Sequence, residues 1–190
     1  LGDDRELRDI RIVDLDNDGR PDLISNVYGR GCTQIEFHEA DGRWTRMVPA
    51  RADGSCLGGN GETLLVADFD GDGRVDILVP SYQRFDYLRN LGDRQFVEEA
   101  ASREVEFKDY LPKVEGAAVA DIDFDGDVDV VIASEILKND GTGHFARVPT
   151  PYGAGGLFDE GLSVADLDAD GRFDIAKHHP ELGPRVFWGE

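Results

Sequence analysis

The chain has 190 residues, with 40 acidic side chains against 20 Lys plus Arg and a formal net charge of −20 at pH 7. Its 40% hydrophobic content is enough for a packed core and excludes wholesale disorder. The acidic excess excludes a nucleic-acid partner, which needs a basic footprint, and docking on anionic lipid; it fits a highly soluble surface or bound cations.

The chain opens LGDDRELRDI, which lacks the basic-then-apolar order of a signal peptide; the leading Leu points to processing or truncation. No window approaches the roughly 18 apolar residues of a membrane span, so no membrane insertion is expected. Residues Leu1 to Leu7 echo Leu91-Gly92-Asp93-Arg94-Gln95-Phe96, as a leftover strand or one that completes the last repeat would.

A short apolar run (Ile10, Ile12, Val13) then leads into DLDNDGRPD, Asp14 to Asp22, and a second run follows at Leu23 and Ile24. A third predicted strand lies at Gln34–His38, and an Asp41-Gly42 turn leads to a fourth that starts at Trp44. The Gly-rich stretch Ala50–Gly61 reads as a surface loop. Cys32 and Cys56 stand in such surroundings; a disulfide between them would suit an oxidising compartment, and free thiols are the alternative. The order repeats with Leu64–Ala67, DFDGDGRVD (Asp68 to Asp76), Ile77–Val79, Tyr87–Asn90 and Phe96. Glu98–Phe107 is read as one turn or short helix. The third pass runs through Ala118–Ala120, DIDFDGDVD (Asp121 to Asp129), Val130–Ile132, Ile136–Asn139 and Phe145. After a second Gly-rich loop, Pro149–Gly161, the fourth has Leu162, Val164 and Ala165, DLDADGRFD (Asp166 to Asp174), Ile175 and Ala176, and Arg185–Trp188, where the chain stops.

The acidic segments start 54, 53 and 45 residues apart, each with Asp at positions 1, 3, 5 and 9 and Gly at 6. Four short β-branched strands per repeat of about 50 residues predict an all-β fold, a β-propeller of four-stranded blades. The whole chain, 1–190, reads as one propeller unit with repeats at about 10–55, 62–112, 116–160 and 161–190. Four blades with open edges are a piece of a larger ring, a small closed ring, or half of a ring completed by a second chain or copy.

The loop chemistry is that of a hard cation. Carboxylates at positions 1, 3 and 5 converge when the loop curls, Gly at 6 permits the turn, the carbonyl at 7 faces inward, and Asp at 9 closes the shell. Oxygen donors in flexible geometry favour Ca²⁺ over Mg²⁺, and the loops lack the imidazole or thiolate of a transition-metal site. The EF-hand is excluded, because position 12 is Ser25, Val79, Ile132 or Lys177 rather than Glu, and the flanks are strands. Without a cation the Asp side chains would repel one another within a tight loop. The loops hold 17 of the 40 acidic residues, so much of the net charge is ion-binding apparatus.

These segments, with LRNLGDRQF and LKNDGTGHF after them, resemble the FG-GAP or VCBS repeats of integrin α-subunit propellers and of many bacterial extracellular proteins. The resemblance implies about four Ca²⁺ ions, and the metal ligands it implies are Asp14, Asp16, Asp18 and Asp22; Asp68, Asp70, Asp72 and Asp76; Asp121, Asp123, Asp125 and Asp129; and Asp166, Asp168, Asp170 and Asp174. Position 7 would add a backbone oxygen at Arg20, Arg74, Asp127 and Arg172. It also implies a secreted, extracellular or periplasmic location.

Function then lies among three classes. The first is a calcium-stabilised module that binds protein or glycan, which the sequence favours. The second is part of a sugar-directed lyase or dehydratase, for which the available side chains are Lys177, His178, His179 and Glu181, with Tyr82, Arg84, Tyr87, Lys108, Tyr110 and Lys113 as a sugar groove. The third is a purely structural propeller. No P-loop, nucleophile elbow or dinucleotide fingerprint is present, and no catalytic residue is assigned.

Overall fold

The computed structural model describes residues 6–28, 31–58, 61–81, 84–105, 114, 116–132, 135–149, 161–179 and 183–189. They form four antiparallel meanders, the blades of a propeller arc. The first blade is β1 (Glu6–Val13), β2 (Asp22–Tyr28), β3 (Gln34–His38) and β4 (Trp44–Met47). The second is β5 (Leu65–Ala67), β6 (Asp76–Ser81), β7 (Arg84–Gly92) and β8 (Gln95–Glu98). The third is β9 (Ala117–Ala120), β10 (Asp129–Ile132), β11 (Glu135–Asn139) and β12 (Phe145–Pro149). The fourth has three strands among the described residues: β13 (Leu162–Ala165), β14 (Asp174–His179) and β15 (Gly183–Phe187). Glu6 and Leu7 extend β1 in the first blade rather than joining the fourth.

The register is the same in each blade. The last residue before the acidic loop pairs with the Asp at its ninth position: Val13 with Asp22, Ala67 with Asp76, Ala120 with Asp129 and Ala165 with Asp174. Each loop therefore springs from the closed end of the first hairpin. Strand β9 lies against both β5 and β13, so the first strands of the second, third and fourth blades are neighbours.

Alternation along each strand sends side chains to the two faces of a blade, and the core lies between blades. Leu15, Ile24, Ile35 and Phe37 of the first blade pack on Leu64, Ile77, Val79 and Leu88 of the second. Leu65, Phe69, Leu78 and Tyr87 of the second pack on Val130, Ile132, Leu137 and Phe145 of the third. Phe69, Tyr87 and Phe145 meet edge to face, with centroids 5.7–6.3 Å apart.

An asparagine at the same place in the second and third blades helps tie each of these junctions. The amide of buried Asn90 donates to Leu15 O of the preceding blade (2.8 Å) and to Val75 O (3.0 Å). Asn139 repeats this with Phe69 O (2.7 Å) and Val128 O (3.1 Å). Replacing Asn90 with Ala leaves both carbonyls and the Gly92 N–H without that partner. The expected loss is roughly 2–3 kcal/mol, read from the denaturant midpoint; a loss near zero would refute the tie.

Cys32 and Cys56 are joined as a disulfide, with Cα atoms 5.3 Å apart. It anchors the loop between the first two blades, where Cys56 bridges Ala50, Thr33 N–H donates to Leu57 O (2.9 Å), and Arg51 pairs with buried Asp86. The 99–105 segment is a turn, held by Arg103 N–H to Glu99 O at 3.0 Å.

Candidate metal centres

Each acidic loop is wound by its own carboxylates. Asp14 accepts the N–H groups of Asp18 (3.1 Å) and Gly19 (2.8 Å), and Asp68 those of Asp72 (3.1 Å) and Gly73 (2.8 Å). Asp121 accepts Gly126 N–H (3.1 Å), and Asp166 accepts Gly171 N–H (3.0 Å). Asp18, Asp72, Asp125 and Asp170 each take the N–H two residues on, at 2.9–3.0 Å. These bonds curl the backbone so far that position 6 needs a left-handed φ, 84°, 83°, 98° and 87° at Gly19, Gly73, Gly126 and Gly171. Position 4 is left-handed too, even where it is Phe124 or Ala169, at φ 61° and 62°.

The curl brings carboxylates together in all four loops. Oxygens of Asp14, Asp16 and Asp18 lie within 4.8 Å of one another, as do those of Asp68, Asp70 and Asp72. In the third and fourth loops the trios are Asp121, Asp123 and Asp129, and Asp166, Asp168 and Asp174. Asp127, the extra carboxylate at position 7, belongs to none of these groups; its side chain lies against Gly141 of the β11–β12 hairpin.

The ninth position has a second task. Asp22, Asp76, Asp129 and Asp174 are buried, and each holds the end of the third strand of its blade. Their Oδ1 atoms accept the N–H groups of His38, Asn90, Asn139 and Gly189 at 2.8–2.9 Å. Three also accept the position-2 N–H, from Leu15, Ile122 and Leu167 (2.7–3.0 Å), while Asp76 takes the hydroxyl of buried Tyr87 (2.7 Å). Burial pushes the Asp76 carboxyl up to about 6, against the Asn90 and Tyr87 hydrogen bonds that favour its charge. Burial raises Asp22 and Asp129 as well.

Protein cations answer part of the negative charge. Arg94 pairs with Asp16 at 2.7 Å across the first junction, Arg89 with Asp70, and Lys138 with Asp123. The position-7 arginines lie back over the loop: Arg20 bonds Asp18 and His38 O (2.8 Å), and Arg74 bonds Asp72 and Asn90 O (2.9 Å). Two loop oxygens, Asp16 Oδ1 and Asp121 Oδ1, are buried and take no hydrogen bond among the described residues. Converging hard oxygens with orphaned lone pairs fit a calcium ion.

Among the side chains considered for catalysis, Lys177, His178 and Tyr87 are described and do not share a site. Lys177 is buried over the Phe187 ring (5.6 Å), while neighbouring His178 is exposed. Tyr87 belongs to the core. Tyr82, Lys108, Tyr110, Lys113 and Glu181, and the side chains of Arg84 and His179, lie outside the described residues.

A model of the FG-GAP-like repeat matches residues 14–79 and again 68–132. A search of curated proteins finds no match. Solved structures of similar fold include an Agrocybe aegerita lectin that recognises non-reducing terminal N-acetylglucosamine, with TM-score 0.59 and 19% identity over 96% of this chain. The rhamnogalacturonan lyase YesW gives 0.55 and 17% over 95%, and the Photorhabdus luminescens Tc holotoxin pore 0.50 and 19% over 93%. This chain spans 48% of the lectin, 37% of the lyase and 9% of the toxin chain.

Proposed function

We propose that this chain, which belongs to the FG-GAP-like repeat family, is a calcium-stabilised extracellular binding module for protein or glycan ligands. The observation that carries the calcium reading is the convergence of three carboxylates in every loop. The ligands are the Asp side chains at positions 1, 3, 5 and 9 with the position-7 carbonyl, about four ions in all. The Asp127 side chain lies against Gly141, and its backbone oxygen takes the position-7 role. The ion's part is structural: it replaces mutual repulsion at the mouth of each first hairpin with attraction to a common centre.

The binding reading draws on the lectin as a structural neighbour and on the loops at the open ends of the blades, where a rigid scaffold carries variable contacts. The disulfide suits an oxidising compartment. An arc of four blades fits a ligand-binding ring completed by a second chain or copy.

Calorimetric titration of calcium into the chelator-stripped chain tests this. About four ions are expected, with magnesium weaker, and D14N, D68N, D121N and D166N each removing one. Absence of binding at millimolar calcium would sink the metal reading. Capture on a glycan and ectodomain array in calcium, lost in chelator, tests the ligand class.

A further inference from the structure

The junctions between blades are copies of one interface, and among the described residues the two ends of the arc present its two halves uncovered. In the shared register, the residue whose N–H is held by the ninth-position Asp is His38, Asn90, Asn139 or Gly189 in turn. At the second and third of these places an Asn side chain reaches the position-2 carbonyl of the preceding loop, Leu15 O or Phe69 O. His38 stands at the same place in the first blade, and its Nδ1 is buried and takes no hydrogen bond among the described residues.

The residues around His38 follow the same correspondence. Trp44 pairs with His38 across β3 and β4 as Phe96 pairs with Asn90 and Phe145 with Asn139. Phe96 and Phe145 pack on the preceding blade, whereas Trp44, stacked on His38, is 46% exposed. Ile12, counterpart of half-buried Val66, is 69% exposed. The other end of the arc mirrors this. Leu167 is 51% and Trp188 58% exposed, while their first-blade counterparts Leu15 and Phe37 are 2% and 1%. Asp168 corresponds to Asp16, which Arg94 grips across the first junction, and it has no cationic partner among the described residues. Arg43, exposed, lies in the first-blade hairpin that corresponds to the Arg94 hairpin.

We propose that the chain pairs head to tail with a second copy, the fourth blade of one covering the first blade of the other, with His38 Nδ1 donating to Leu167 O across the new junction. This rests on the reading of the chain as part of a ring completed by a partner, and it commits to that partner. The same chain carries both halves of the interface, with an apolar patch, a buried donor and a cation at one end and a matching apolar patch, carbonyl and carboxylate at the other.

The test is light scattering after gel filtration, over a range of concentrations in calcium. The parent chain is expected to be a dimer. I12D at the head and L167D at the tail, both at exposed positions and checked for native circular dichroism, are each expected to be monomeric. A mixture of the two is expected to form one-to-one dimers, because one intact head meets one intact tail. His38→Ala is expected to weaken dimerisation about tenfold, with His38→Asn restoring it. A parent that stays monomeric, a dimer indifferent to both variants, a mixture that stays monomeric, or a ladder of larger oligomers would each overturn the proposal. Calcium stoichiometry is read separately, so loss of the metal reading with dimers intact, or the reverse, identifies which idea failed.

Discussion

Chelation is expected to lower the melting temperature of this chain by about 20 °C or more. Each ion that binds only the folded state adds about 2.7 kcal/mol when free calcium is a hundredfold above its dissociation constant. Four such sites add roughly 10 kcal/mol, comparable to the whole stability of an ordinary domain. At about 2–4 °C per kcal/mol for a chain of this size, the shift is easily read in a thermal scan. The effect is this large because each loop holds three or more carboxylates in a curl set by backbone hydrogen bonds, so the repulsion is built in before the ion arrives. Arg94, Arg89 and Lys138 neutralise one carboxylate in each of the first three loops and moderate the loss there. An unchanged scan in chelator would refute calcium as the stabilising ion.

Asp76→Ala is expected to be the most damaging single substitution in the loops, at roughly 3–5 kcal/mol. It strands the Asn90 N–H and the Tyr87 hydroxyl in a fully buried place. The same carboxylate sets an unusual pH dependence. Its folded value of about 6 lies above the ordinary 3.8, because burial disfavours the charge. The folded chain therefore holds the proton more tightly than the unfolded one, and stability falls as pH rises from about 4 to about 6. Above that window the full penalty applies, about 3 kcal/mol for Asp76. Asp22 and Asp129 act in the same direction. Glu39, held at about 2 by Arg94, and Asp123, lowered by Lys138, stabilise the fold above their unfolded values; that support is lost only at more acid pH. In chelator, urea midpoints are thus expected to be higher near pH 5 than near pH 7. In saturating calcium the order reverses, because protons compete with the ion. A calcium-free midpoint that rises steadily from about pH 5 to about pH 7 would overturn the assignment.

Much of this molecule is legible in its sequence. The acidic loops announce the first hairpins, and the predicted third strand of the first repeat, Gln34–His38, is β3 residue for residue. Trp44 and Phe145 begin β4 and β12 as alternation after a Gly turn requires. Less legible was the work of polar residues whose partners lie far along the chain. Asn90 and Asn139 end similar segments, LRN and LKN, and that recurrence was the available signal. Their acceptors lie 75 and 70 residues away, at carbonyls that have no sequence signature. Nor does the acidic pattern distinguish an exposed Asp from the buried one at position 9. Only the register, which sets Asp22, Asp76, Asp129 and Asp174 opposite the last residue of the first strand, reveals that these also hold the third strand. The choice of Arg at position 7 likewise makes sense only once the strand end it reaches, His38 O or Asn90 O, is in place.

The two asparagines also act as a relay. The Leu15 carbonyl, set between Asp14 and Asp16 of the first loop, is held by the Asn90 side chain, whose own N–H is held by Asp76 of the second loop. Phe69, Asn139 and Asp129 carry the same connection from the second loop to the third. At the fourth the relay is broken, because Gly189 occupies the place of the asparagine. The first three loops are thereby wired in series, so that under the proposed calcium binding an ion in one would fix a hydrogen-bond partner of the next, while the fourth loop would fill independently.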